Sequence, residues 1–186
     1  MSDKYEELSQ ELCKFIEEQK IFFVGTAASI GNVNISPKGM DSLRIINNKK
    51  IIWLNVTGTG NESAAHVQIN PRMTIMFCAF LGAPMILRLY GKAKAIHKGD
   101  IEWDDLYSKF NPLPGARQIF DFDIELVQSS CGYAVPYFDY KENRELLNNW
   151  ADKKGDEGIK KYWIKKNQYT IDGIPTLILL KNKMEP

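Results

Sequence analysis

The spacing of apolar residues changes period several times along the chain, and each change marks an element. Tyr5, Leu8, Leu12, Phe15 and Ile16 recur at helical spacing. They predict an amphipathic helix over 3–18, with Asp3 and Glu6 as a capping box. Short runs follow over 21–27, 32–37, 43–46 and 51–56, separated by turns too short to hold crossover helices. The sheet is therefore expected to be antiparallel. A short helix over 64–69 ends at Asn70-Pro71. Residues 72–80 are apolar on both faces, which suits a strand inside a closed barrel or against a second subunit. Over 85–97 the pattern alternates, with Leu87, Leu89, Gly91, Ala93 and Ala95 on the core side and Ile86, Arg88, Tyr90, Lys92 and Lys94 on the other. A helix over 100–110 and a strand over 120–128 complete this part. The strand places Phe120, Phe122, Ile124 and Leu126 opposite Asp121, Asp123 and Glu125. The spacing predicts a mainly β fold, a six-stranded antiparallel barrel with flanking helices. Beyond it, helices over 142–151 and 158–166 and an irregular, partly extended ending over 170–180 form a C-terminal extension. The expected division is 1–130 for the barrel with its N-terminal helix, and 131–186 for the extension packed on the barrel or on a second subunit.

Composition narrows the function without naming it. The 186 residues carry a net charge of +1, which gives no electrostatic footprint for nucleic acid or an anionic membrane. Three cysteines, Cys13, Cys78 and Cys131, are widely spaced and form no C-x-x-C. They argue for a reducing compartment and against a zinc site. His66 and His97 are the only histidines, and no H-E-x-x-H occurs. With no signal-like opening and no apolar run of membrane-spanning length, the chain is expected to be cytoplasmic.

The stretch with most chemical promise is Val56-Thr57-Gly58-Thr59-Gly60-Asn61-Glu62-Ser63, between a buried strand and a short helix. Glycines let the backbone approach a ligand closely. Thr57, Thr59 and Ser63 offer hydroxyls, and Asn61 stands where it would cap the helix. Such a turn suits a phosphate, although an ordinary capped turn has the same composition. Walker A and G-x-G-x-x-G patterns are absent. Lys38, Arg72 and Arg88 are the candidate cations.

Five motifs in order, Phe23-Val24-Gly25-Thr26-Ala27, Val33-Asn34-Ile35-Ser36-Pro37-Lys38-Gly39, Thr57-Gly58-Thr59-Gly60-Asn61-Glu62-Ser63, Asn70-Pro71-Arg72-Met73-Thr74 and Leu87-Arg88-Leu89-Tyr90-Gly91, span roughly 20–130. Together they resemble the pyridoxamine 5′-phosphate oxidase-like group of FMN-binding split barrels, in an uncharacterised subgroup. The resemblance implies a six-stranded split β-barrel, a homodimer, and FMN in a groove between subunits. It implies that Lys38 meets the FMN phosphate with Thr57, Thr59, Asn61 and Ser63, while backbone groups around Asn34, Ile35 and Ser36 face the edge of the flavin ring. It further implies a flavin-dependent oxidoreductase acting on a small molecule. The alternative is a non-catalytic binding or storage module for a flavin or another phosphorylated or haem-like ligand. No metal and no catalytic side chain are implied. The chain departs from the oxidases proper in two places: Asn61-Glu62-Ser63 replaces their Arg-Lys pair, and their C-terminal basic and aromatic residues have no match at Ile171-Asp172-Gly173-Ile174-Pro175.

Overall fold

The computed structural model describes residues 2–184. Eight strands form one antiparallel sheet: β1 (Ser2–Tyr5), β2 (Phe22–Thr26), β3 (Asn34–Lys38), β4 (Leu43–Asn47), β5 (Lys50–Val56), β6 (Arg72–Cys78), β7 (Ile86–His97) and β8 (Ala116–Ser130). Their order is β3-β2-β6-β7-β8-β5-β4, with β1 paired to the far end of β8. The sheet wraps a core of large side chains including Trp53, Phe77, Phe120, Phe122, Leu87 and Leu89. Among the described residues its end strands β3 and β4 share no ladder, so the barrel is split there.

Helix α1 (Gln10–Glu18) seals this region by putting Ile16 into the core. The predicted helix over 3–18 is thus shorter by a strand. Residues 2–5 pair with β8, and the cap is Ser9, whose Oγ accepts from Leu12 N at 3.2 Å, rather than Asp3. Edge pairing with the long β8 satisfies backbone groups that a lone first helical turn leaves open. Ser9→Ala is expected to lower stability by about 1 kcal/mol, read as a lower melting temperature.

The strand count also differs from the expected six. β5 is buried on both faces because a second cluster, including Ile52, Leu54, Trp103, Phe110 and Ile119, lies outside the barrel under α3 (Trp103–Tyr107). α3 is only the middle of the helix expected over 100–110. β8 begins four residues before the predicted start and contains two bulges. At one, Tyr90 pairs with Leu126 and Gly91 with Ile124, which leaves Glu125 as the extra residue. The pleat changes phase there, so Val127 is fully buried and Leu126 only half-buried. Gly91 permits this approach, since a Cβ would run into the Asp123 carbonyl.

Helix α2 (Glu62–Ile69) follows the glycine loop. After Ser130 the chain is irregular until α4 (Leu146–Lys166), which breaks at Gly155 (φ 60°, ψ 175°) into two pieces, the first starting four residues later than the helix expected over 142–151. Residues 178–181 form a short helix, α5 (Ile178–Lys181), where an extended segment was expected. Ala151, Ile159, Trp163, Ile178 and Leu179 make a third apolar cluster internal to the extension, and Trp163 Nε1 reaches out of it to donate to Thr57 Oγ1 at 2.9 Å.

Candidate functional site

A cavity of about 320 Å³ opens where β3, β5, the glycine loop and β8 meet. Asn34, Ser36 and Lys38 line it together because alternate residues of β3 face the same way. The same alternation turns Ile35 outward, 70% exposed, into a groove on the opposite face of the sheet. Lys38 is the last residue of β3 rather than a turn lysine. Its ammonium lies 5.1 Å from the Trp53 ring centre, a cation–π distance. Burial and the neighbouring Arg117 charge lower its pKa to about 8, with Glu62 pulling the other way.

Of the loop residues, Thr59, Asn61 and Ser63 line the cavity and Thr57 does not. Thr57 is buried, donates to Gly115 O at 2.7 Å and accepts from Trp163 Nε1 at 2.9 Å. Its hydroxyl is used for folding. Asn61 precedes α2 but makes no side-chain cap. Its Oδ1 accepts from Gln118 Nε2 at 3.0 Å, so its amide belongs to a buried polar network. Ser63 Oγ sits 3.2 Å from both Thr26 Oγ1 and Asn34 Nδ2, and Thr26 Oγ1 is 3.1 Å from Nδ1 of the buried His66. Arg72 and Arg88 lie outside this cavity.

The cation that the sequence did not single out is Arg117. β5 and β8 pair Asn55 with Gln118 and Val56 with Ala116, so Arg117 is the extra residue of the second bulge. Its side chain runs beneath the glycine loop, 2% exposed. It donates through Nη2 to Gly60 O (2.9 Å), through Nη1 to Asn167 Oδ1 (2.8 Å) and through Nε to Gln118 Oε1 (3.0 Å). All three acceptors are neutral. Desolvation lowers even this guanidinium, to about 10. No pattern in the sequence announces a bulge; the only visible signal was an Arg-Gln pair at the head of an apolar run.

The loop is held from behind by the extension. Asn167 Nδ2 donates to Gly58 O and Thr59 O, both at 3.0 Å, and Thr176 Oγ1 donates to the Asn167 carbonyl at 2.6 Å. The Gly58 and Thr59 carbonyls are thereby held toward the C-terminal end of α4, while Gly60 O faces Arg117.

The cavity therefore contains two shielded cations, and among the described residues no carboxylate lies within 4 Å of either. Two buried polar atoms at its wall, Ser36 Oγ and Trp53 Nε1, have no hydrogen-bond partner. Buried charge and orphaned donors are costly unless something compensates them. What would compensate here is an acceptor-rich anion. Glu62, the one acidic residue of the lining, opposes it.

The sequence profile of the pyridoxamine 5′-phosphate oxidase family matches residues 8–131. The chain belongs to this family. The family protein ustO of Aspergillus flavus is 32% identical over 191 residues, covering 93% of this chain and 77% of ustO. Solved structures share the split-barrel fold. A Lactobacillus delbrueckii protein named for pyridoxamine 5′-phosphate oxidase superposes with a TM-score of 0.54 at 18% identity, over 66% of this chain and 94% of its own. HupZ of Group A Streptococcus gives 0.51 at 19% identity, over 64% and 91%. Within the family frame, Arg117 brings a guanidinium to a loop that lacks the Arg-Lys pair. Among the described residues no helix is long and apolar enough to cross a membrane, and no cluster of acidic, His and Cys residues suits a metal ion.

Proposed function

We propose that the chain binds FMN, with the phosphate in the cavity between Lys38, Arg117, Thr59 and Ser63, and acts as an FMN-dependent oxidoreductase on a small molecule. The observation that carries this reading is the pair of shielded cations without carboxylate partners, beside the orphaned Ser36 hydroxyl and Trp53 indole N–H. A phosphate monoester carries a charge of about −1.5 to −2 at pH 7 and three acceptor oxygens, which suits this donor set. Bound FMN would supply hydride or electron acceptance at N5. The protein's part is binding and orientation: Lys38 and Arg117 hold the anion, and Asn34 and Ser36 on β3 border the groove.

The proposal includes a homodimer. The outer face of β3-β2-β6-β7 forms a groove lined by Phe23, Val33, Ile35, Met76 and Tyr90, with Val33 69% exposed. A second copy covering this face would bury β6 on both sides, as its sequence suggests.

The test is purification and titration. A yellow protein that retains FMN supports the reading, and Lys38→Ala is expected to bleach it. A colourless protein that takes up no added FMN sinks it. A protein that keeps FMN but turns over neither reduced nicotinamide nor oxygen is a binding module instead.

The pH dependence follows from Lys38. The phosphate stays a dianion above about pH 6, while free Lys38 loses its charge around pH 8. FMN affinity is expected to be highest between these values and to fall above pH 8 by up to about tenfold per unit. Lys38→Ala should flatten that limb in a fluorescence titration. For folding the sign is opposite: with the folded pKa below the unfolded one, the folded chain binds fewer protons between about 8 and 10.5. Lys38's own contribution to ligand-free stability therefore improves as pH rises through that window.

A further inference from the structure

A second and larger cavity, about 940 Å³, lies on the other side of Lys38. Its walls come from the end of β3, the turn after β6 and the irregular segment that leads into α4. Ile21, Pro37, Met40, Phe80, Phe138 and Leu147 are among its apolar lining. The irregular segment is tied to the barrel by Phe138 N donating to Phe80 O at 3.1 Å, and by the Phe80–Phe138 edge contact at 5.6 Å. Lys38 is the one residue that lines both this chamber and the anion cavity.

We propose that this chamber is a separate binding site for a mostly apolar aromatic molecule that turns an acidic group toward Lys38. Resting on the flavin reading only in making this molecule the reductant or substrate, the proposal otherwise stands on the chamber itself. Three observations converge. The volume is at the upper end of that found for organic-molecule sites. The walls set Phe80, Phe138 and Tyr140 among aliphatic side chains, the aromatic and apolar surface usual in such sites, with eight of the eighteen lining residues polar or charged. The ammonium at the junction has no carboxylate within ion-pair distance among the described residues, and its burial lowers its pKa to about 8, so an acidic group beside it is favoured. Among the other lining charges, Glu18, Asp139 and Glu142 outnumber Lys20 and Arg144 by one, and Lys38 brings the lining to neutrality, so the acidic group is placed by its local contact with Lys38 and not by the net charge of the chamber.

The probe is 8-anilinonaphthalene-1-sulfonate, an aromatic body with one acidic group, titrated by fluorescence into the full chain as purified and again after saturation with FMN. One saturable site per chain is expected; with FMN present it should persist but bind the probe more weakly, since the phosphate then shares the Lys38 charge. Leu146 lines the chamber yet is 74% exposed, so Leu146→Glu leaves the fold intact while placing a carboxylate in the apolar wall. This variant should weaken the probe by about tenfold and leave FMN affinity unchanged, and Phe138→Ala should act in the same direction. Three results overturn the proposal: no saturable binding, binding unaffected by Leu146→Glu, or competitive displacement of the probe by FMN. Loss of probe binding on Ile35→Glu in place of Leu146→Glu also overturns it, since that puts the probe on the outer groove. Probe binding that obeys these rules in a chain that binds no FMN sinks the flavin reading and keeps the chamber.

Discussion

Arg117→Met is expected to reduce FMN affinity by at least about a hundredfold, roughly 2.7 kcal/mol. The guanidinium is buried among neutral acceptors, so its charge is not cancelled within the protein. A bound phosphate supplies the cancelling charge in a region where water screens poorly, and charge-assisted hydrogen bonds there are stronger than neutral ones. Folding should respond much less than binding. Methionine of similar length removes the cost of desolvating the cation, while leaving Gly60 O and Asn167 Oδ1 without a donor. These effects oppose each other. Melting with and without phosphate separates them: inorganic phosphate should stabilise the natural chain and leave the variant unmoved. A variant that melts as the natural chain does and still retains FMN removes Arg117 from the site.

The second large effect is at Asn167, which is fully buried and never touches the cavity. Asn167→Ala removes the donors to Gly58 O and Thr59 O, both part-buried, and the buried acceptor for Arg117. The expected loss is about 1–3 kcal/mol of stability, set mainly by the guanidinium left without that partner. Asn167→Asp divides this effect. A carboxylate beside Arg117 keeps that hydrogen bond and adds attraction, so part of the stability returns. The same carboxylate neutralises the cation, and FMN affinity should fall at least as far as in the alanine variant. Equal FMN affinity in Asn167→Asp and the natural chain would show that the Arg117 charge plays no part in binding.

The fold was largely readable because its strands alternate cleanly. β7 exposes the predicted side, and the break in α4 falls at Gly155 between the two predicted helices. The failures have local causes. Residues 2–5 carry a pattern compatible with a helical turn, and only the distant β8 edge makes them a strand. Residues 178–180 are apolar and β-branched at their start, yet after the left-handed Leu177 they form a helix that gives Ile178 and Leu179 to the third cluster. At the site, the period-2 rule on β3 turns the Asn34, Ser36 and Lys38 side chains into the cavity and the Ile35 side chain to the opposite face. By sequence, Thr57 offers a hydroxyl and Asn61 a capping side chain. In the structure the hydroxyl of the first serves Gly115 and Trp163, and the amide of the second serves Gln118. Arg117 was invisible because a bulge is a property of two strands in register, and neither strand states it alone.

The grip of Asn167 on Gly58 spans 109 positions of chain. During synthesis, at about 5–20 residues per second, every strand of the barrel can pair before the residue that fixes its glycine loop has been made. A nascent chain halted after β8 would hold a nearly complete sheet around an unfastened loop. Flavin capture would then report that translation had run on past Asn167, making the cofactor a marker of the finished chain rather than a nucleus for its folding.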